Sequence, residues 1–328
     1  MDLKYNFICF IYDVDYYKLA YSDFKKMEGV QCIESIKPKG KIQSLLFKFH
    51  VSRIINSIVD LPFKQVWLNN TIKLKKDYSN LPYCFIFFSN LLEKKYVRDY
   101  IIKLHEIYPD AKFVCYYSDL IESSKWFMEK TPEKLQLLFD LFISYDHKEA
   151  AKYNINYYPT TYSNIKYDAD EKTSTCDVFF LANAKDRLYK IYEVYNILTS
   201  NGLICEFYLT NVSTKEQIAL QGVHFIDKMS YIDNLKHIQK CKAILEIEQN
   251  GATGPTLRTW ESINFGKLLV TDNSSIVKTP FYDERFISIF SSAQSININQ
   301  IKEYTSQVNP KEKLIRPINF LQYIQENL

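Results

Sequence analysis

The chain lacks a long apolar run, a marked excess of either charge, and any pair of cysteines at CxxC spacing. No apolar segment approaches the ~20 residues that a membrane-spanning helix requires, so a transmembrane protein is not expected. The stretch MDLKYNFICFIYDVD has a short apolar core that ends in acids, which reads as a first strand and not as a signal peptide. A net charge of +3, from 41 Lys and Arg against 38 Asp and Glu, gives no nucleic-acid footprint. It allows only a mild attraction to anionic lipid. Most of the seven cysteines sit inside apolar strand-like runs, the pattern of buried free thiols in a reducing cytosol. The expected location is cytoplasmic, with peripheral attachment to the inner face of a membrane as the furthest departure.

What is present is the composition of a soluble globular protein: 47% hydrophobic and 24% charged over 328 residues, a length that suits two domains of about 150 each. Strand-like runs recur in the first half at Asn6–Tyr12, Val30–Ile36, Gln65–Leu68, Cys84–Phe88, Lys112–Tyr117 and Leu141–Ser144. Helical patterns lie between them. Ile42, Leu45, Leu46, Phe49, Ile54, Ile55, Ile58 and Val59 mark one stripe, read as a core-facing helix, with membrane contact through Lys41, Lys48 and Arg53 as the alternative. Leu91–Ile107 gives another helix, stopped by Pro109. The polar stretch 157–175 breaks the pattern and reads as a linker.

Beyond it the alternation restarts. Strands are expected at Cys176–Leu181, Ile204–Leu209, Val223–Ile226, Ala243–Ile247, Leu268–Thr271 and Phe286–Ile289. Helices are expected at Asp186–Thr199, Tyr231–Gln239, Thr256–Phe265 and Ile318–Asn327. Alternating strands and helices imply parallel sheets covered on both faces. The domains are therefore placed at 1–158 and 176–310, joined by 159–175. The last helix, within 311–328, is free to pack back on the first domain. Two such domains facing one another would set a ligand cleft at their strand ends.

The most informative stretch is EIEQNGATGPTLRTWESINFGKLLVTD, from Glu246 to Asp272. It reads as strand, glycine-containing loop, helix, strand. That geometry aims free backbone N–H groups and a helix dipole at an anion. Thr253, Gly254 and Thr256 offer small donors to phosphate oxygens, and Pro255 is placed near the first helical position. Arg258 adds a fixed positive charge in the first turn. Glu261, three residues on, either orients sugar hydroxyls or pairs with Arg258. Glu248 lies at the strand end. Lys185 and Arg187 follow the strand DVFFL at a turn into a helix, where two cations oppose the dipole unless an anion is bound; the plainer alternative is a solvated turn. In HFIDKMSY, from His224 to Tyr231, Met229 or Tyr231 could wall a planar base.

These pieces resemble a known family. CDVFFLANAKDRLYKIYEVYNILTSNG and YIDNLKHIQKCKAILEIEQNGATGPTLRTWESINFGKLLVTDN are similar to the C-terminal donor domain of GT-B nucleotide-sugar glycosyltransferases. The similarity is greatest to the bacterial capsule, O-antigen and exopolysaccharide type, often labelled lipopolysaccharide biosynthesis proteins. FISYDHKEAAKYNINYYPTTYS resembles the end of their N-terminal domain. The resemblance implies an α/β GT-B fold, two Rossmann-like doubly wound domains facing across a cleft. It implies a hexosyltransferase without a protein-bound metal, taking a UDP-sugar, or else a GDP- or dTDP-sugar. The acceptor would be a surface polysaccharide or lipid-linked glycan, bound by the N-terminal domain. Carried over residue by residue, Lys185 and Arg187 face the diphosphate, with Asn183 in the same turn. Thr256, Leu257 and Arg258 face the phosphates, Glu261 holds the ribose, and Glu248 touches the donor sugar. Two features depart from the family pattern. NAKDR lacks the glycine common at Asn183 or Ala184, and Glu248 and Glu261 stand thirteen apart, wider than the family's two-glutamate motif.

Asp13 and Asp119 are the candidates for a catalytic base. Asp13-Val14-Asp15 also has the DxD form of metal-dependent transferases and of some phosphatases, without a convincing partner set downstream, and Asp168-Ala169-Asp170 reads as solvated. A non-catalytic nucleotide or sugar-binding protein and a nucleotide-sugar epimerase are the remaining alternatives.

Overall fold

Runs such as Tyr83–Phe88, YCFIFF, are apolar at nearly every position, which suits strands covered on both faces and not strands with one wet face. The computed structural model bears this out. It describes residues 2–59, 61–74, 80–123, 137–166, 175–249, 251–305 and 310–328. The Asp168-Ala169-Asp170 pair lies outside them.

The described chain forms two compact units, 1–159 with 317–328, and 160–316. The first unit is built on a six-stranded sheet in the order β2-β1-β3-β4-β5-β6. Its strands are β1 (Asn6–Phe10), β2 (Val30–Ile33), β3 (Tyr83–Phe88), β4 (Lys112–Tyr117), β5 (Leu141–Ser144) and β6 (Asn156–Tyr157). The second unit has the order β12-β11-β10-β7-β8-β9. These strands are β7 (Cys176–Asn183), β8 (Cys205–Thr210), β9 (His224–Phe225), β10 (Cys241–Glu246), β11 (Leu268–Thr271) and β12 (Ile287–Ile289). Every pairing in both sheets is parallel.

Gln65–Leu68, expected as a strand, is instead the start of a helix, Val66–Thr71. Leu68 and Ile72 are buried four apart, and that single face decides the conformation over the β-propensity of Val66 and Trp67. The stripe from Ile42 to Val59 is the second correction. It breaks at Val51 into two helices, Lys41–His50 and Arg53–Ile58, and it does not face the core. Phe47, on the opposite side of the first helix, is its one buried residue and packs edge-on against Trp67 and Tyr96.

The helix Pro317–Asn327 belongs to the first unit. Phe320 packs on Tyr116 and Tyr158, and Asn156 donates to the Tyr323 hydroxyl at 3.0 Å. In the second unit, residues 160–165 are fastened to the helix Leu257–Phe265. Trp260, fully buried, donates its indole N–H to the Thr160 hydroxyl at 2.6 Å, and the Asn264 amide donates to the Ile165 carbonyl at 2.9 Å. That helix ends where Gly266 turns left-handed at φ 63°. A side chain there meets the strain of the left-handed region. Gly266→Ala is therefore expected to lower stability by about 1–2 kcal/mol in urea unfolding, with the slope unchanged.

Candidate functional site

Open parallel sheets place ligands beyond the carboxyl ends of the strands where successive connections run in opposite directions. In the second unit this reversal falls between β7 and β10, since the chain proceeds from β7 to β8 and β9 on one side and from β10 to β11 and β12 on the other. Both turns singled out in the sequence leave from these two strands: Asn183–Arg187 from β7 and the glycine loop from β10.

The loop is positioned by Glu246, the last residue of β10 and fully buried. Its carboxylate accepts from the hydroxyls of Thr256, of Thr259 at 3.2 Å and of Thr271 at 2.6 Å. Thr256 is also the cap of the helix Leu257–Phe265, accepting from the Arg258 N–H at 3.1 Å. Its hydroxyl is thus directed inward, and Pro255 lies just before the cap and not inside the helix. The Thr253 carbonyl accepts from Asn273 at 3.3 Å; Thr253 and Gly254 are buried, and Leu257 is half-buried. Glu248, also half-buried, donates its backbone N–H to Asp272 at 2.8 Å.

Three cations meet at the ends of β7 and β10. Arg187 is buried, and its guanidinium donates to the Ile247 carbonyl and, at 2.7 Å, to the Asn183 carbonyl, so it joins the two strand ends. Its Nε is buried and has no hydrogen-bond partner among the described residues. Burial first, then the neighbouring Arg258 charge, pushes the Arg187 pKa below its ordinary value; an arginine stays charged regardless. Arg258 donates to the Leu181 carbonyl and lies 5.5 Å over the Phe180 ring. Neither guanidinium forms an ion pair with a carboxylate among the described residues, and Arg258 does not pair with Glu261. Lys185 is exposed, and its ammonium donates to Gln249 at 2.6 Å. It occupies a left-handed conformation, φ 45°, with its N–H on the Asn183 side chain at 3.2 Å. The positive φ expected of a glycine at Asn183 or Ala184 is taken by a lysine one position on.

Glu261 sits behind this cluster. It is buried, and its carboxylate accepts from the Asn234 amide at 3.0 Å and from the Tyr231 hydroxyl. The Tyr231 hydroxyl also shares a 2.6 Å hydrogen bond with the Tyr162 hydroxyl, in which either can donate. Burial pushes the Glu261 pKa up to about 7, against the pull of Tyr231, Arg258 and Asn234. Met229 is half-buried in the turn before the helix Tyr231–Lys240.

In the first unit the corresponding reversal lies between β1 and β3. Asp13, just past β1, bonds Lys18 at 2.8 Å, Lys37 at 3.0 Å and the Ser35 hydroxyl at 3.2 Å. Burial raises its pKa, but the hydrogen bonds from the two lysines outweigh that and hold it below the ordinary value. Asp119, past β4, is exposed and accepts from the Leu120 N–H at 2.9 Å. No cluster of three metal-ligating side chains occurs among the described residues.

Two features escaped the sequence reading. Glu246 carries no sequence signal of its role, because its partners lie ten, thirteen and twenty-five residues away. The Tyr162–Tyr231–Glu261–Asn234 chain joins three separate segments, with Tyr231 and Asn234 on one helix, and leaves no local signal.

No protein-family model matches the chain, and no curated protein matches it in sequence. Solved structures share its fold over nearly the full length. An α-glucosyltransferase (AGT) in complex with UDP is 11% identical with a TM-score of 0.58, the match covering 98% of both chains. The same TM-score is found for α-glucosyltransferase with UDP and a 13-mer DNA. HepE of Anabaena in complex with UDP and glucose is 12% identical with a TM-score of 0.57, again over 98% of both chains. With the two six-stranded parallel sheets, these likenesses show the two-domain α/β fold of the GT-B type.

The buried carboxylates make separable predictions. Glu246→Ala leaves three hydroxyls without their acceptor and is expected to cost at least about 2–3 kcal/mol in chemical unfolding. For Glu261 the folded pKa, about 7, lies above the ordinary carboxyl value of 4.5. Its contribution to stability is therefore full below about 4.5 and lost as the pH rises through about 7, a span worth about 3 kcal/mol. Glu261→Gln should flatten this part of the profile. Melting temperatures at acid and alkaline pH should show the variant gaining on the wild type as the pH rises, and parallel profiles would contradict the assigned burial cost.

Proposed function

We propose that this chain is a glycosyltransferase that binds a nucleotide-diphosphate sugar in its second unit. The sugar, a hexose, passes to a growing surface polysaccharide or lipid-linked glycan. The observation that carries the reading is the group of three cations, Lys185, Arg187 and Arg258, at the ends of β7 and β10 beside a helix amino terminus, with both guanidiniums free of carboxylate partners among the described residues. This arrangement favours a multiply charged anion. The solved α-glucosyltransferase and HepE structures of the same fold hold UDP, which makes a UDP-sugar the first donor to test, ahead of GDP- and dTDP-sugars.

In this reading the diphosphate lies over the helix start at Leu257 and Arg258. As the bond to the anomeric carbon lengthens, charge grows on the departing phosphate. Lys185 and Arg258 meet it without reorganising, because Gln249 and the Leu181 carbonyl already hold them in place. Arg187 acts from behind as fixed positive charge. Asn234 and Tyr231 take two of roughly four acceptor positions on Glu261, which leaves it able to receive a ribose hydroxyl. Met229 borders the base, and Glu248 is assigned to the donor sugar. Of the two carboxylates proposed as base, Asp119 is preferred, because the lysines on Asp13 weaken it as a proton acceptor.

The test is a thermal-shift panel of UDP, GDP, dTDP and CMP with their sugars. UDP at about 100 times its dissociation constant should stabilise the wild type by roughly 2.7 kcal/mol. Arg258→Ala should weaken binding by about ten- to a hundredfold and sugar transfer by more, while the unliganded melting temperature changes little. An unchanged UDP affinity in Arg258→Ala would remove the diphosphate from this site.

A further inference from the structure

An amphipathic helix on a globular domain normally turns its apolar stripe inward. The helix Lys41–His50 does the reverse. Ile42, Leu45 and Phe49 fall on one face by their helical spacing, and they are 76%, 69% and 60% exposed, while Phe47 on the far side reaches the core. The next helix continues the surface with Ile54 and Ile58, at 78% and 81% exposed, and Phe63 beyond it is 70% exposed. Nine of the seventeen exposed large apolar side chains among the described residues fall between Ile42 and Val66. The pair of helices is not a loose end. Asn56 donates to the carbonyls of His50 and Ser52 at 2.8 and 2.7 Å, Leu61 donates to Asn56 at 3.0 Å, and His50 contacts the Pro62 carbonyl at 3.0 Å.

The charge on this segment is as uneven as its hydrophobicity. Residues 37–64 carry Lys37, Lys39, Lys41, Lys48, Arg53 and Lys64 against Asp60, six cations less one acid, or +5. The whole chain is +3, so everything else sums to −2. Lys37 is held by Asp13, but Lys39, Lys41 and Lys48 are exposed and have no ion pair among the described residues.

We propose that this helical pair is a docking surface for an anionic lipid bilayer, with Ile42, Leu45, Phe49, Ile54 and Ile58 entering the headgroup–acyl boundary and the lysines holding acidic headgroups. A second copy of the chain is a poor occupant, because two such cationic faces repel. A nucleic acid would satisfy the lysines but give the aliphatic side chains nothing apolar to cover. A bilayer with acidic headgroups, acidic at its surface and apolar beneath, matches both observations. The inference stands on the first unit alone and does not depend on the nucleotide-sugar reading.

Flotation of the full chain with vesicles tests it. Vesicles of phosphatidylcholine with about 30% phosphatidylglycerol should bind the protein at least about tenfold more tightly than phosphatidylcholine alone, and added salt should reduce that binding. The double variant Leu45→Gln with Phe49→Gln and the double variant Lys41→Glu with Lys48→Glu should each lose about tenfold or more. Their melting temperatures should stay at the wild-type value, since these side chains lie outside the core. No binding to acidic vesicles overturns the proposal, as does binding that both variants retain. A dimer dissociated by the apolar variant without vesicle binding would assign the face to a second copy. A shift of duplex DNA without vesicle binding would assign it to nucleic acid.

Discussion

A single buried carboxylate sets the geometry of the second unit's strand ends. Glu246 closes β10 and receives hydroxyls from the cap of the following helix, from that helix's first turn and from the end of β11. The links continue outward. Asn273 donates its N–H to Thr271 at 3.0 Å and its amide to the Thr253 carbonyl, so the glycine loop is held from both ends. Hydroxyls can satisfy a carboxyl group without an ion pair, and Glu246 has no cation in contact among the described residues. The positive side chains nearby therefore keep their charge for the open side of the site.

The three cations differ in how they are held, a difference that the sequence does not show. Lys185 and Arg187 stand two apart in one turn and look equivalent as letters. In the fold, Arg187 bridges two strand ends through backbone carbonyls, while Lys185 reaches across to Gln249 on the opposite loop. Main-chain carbonyls are weak counter-charges, so this anchoring fixes an arginine without discharging it. Such a group contributes a field in place before any ligand arrives, the condition under which electrostatic stabilisation is largest.

Most strands of both sheets were legible because they are short and largely buried, so apolar runs bounded by polar turns mark them; β6, Asn156–Tyr157, was missed because its two half-buried residues form no apolar run. β4, β5 and β11 match to the residue. Gln65–Leu68 failed because three apolar residues after a glutamine fit a strand or a helix turn equally well, and only the burial of Leu68 with Ile72 distinguishes them. The stripe from Ile42 to Val59 failed for a different reason. Periodicity reports that a helix has an apolar side but not which way that side points; one phenylalanine on the opposite face settled it. In the candidate site, residues adjacent in sequence could be grouped by inspection, whereas the hydroxyl donors to Glu246 and the tyrosine pair behind Glu261 are brought together only by the crossovers.

The division of the chain between the two units has a consequence for biosynthesis. Residues 160–316 are continuous, while the first unit takes its helix Pro317–Asn327 from beyond them. On a ribosome the second unit is complete in sequence before that helix emerges, whereas the first unit, though begun earlier, waits with the rings of Tyr116 and Tyr158 uncovered until Phe320 arrives. The half of the molecule that is translated first is therefore the last to be finished. Loss of residues 317–328 would therefore damage the unit that is translated first.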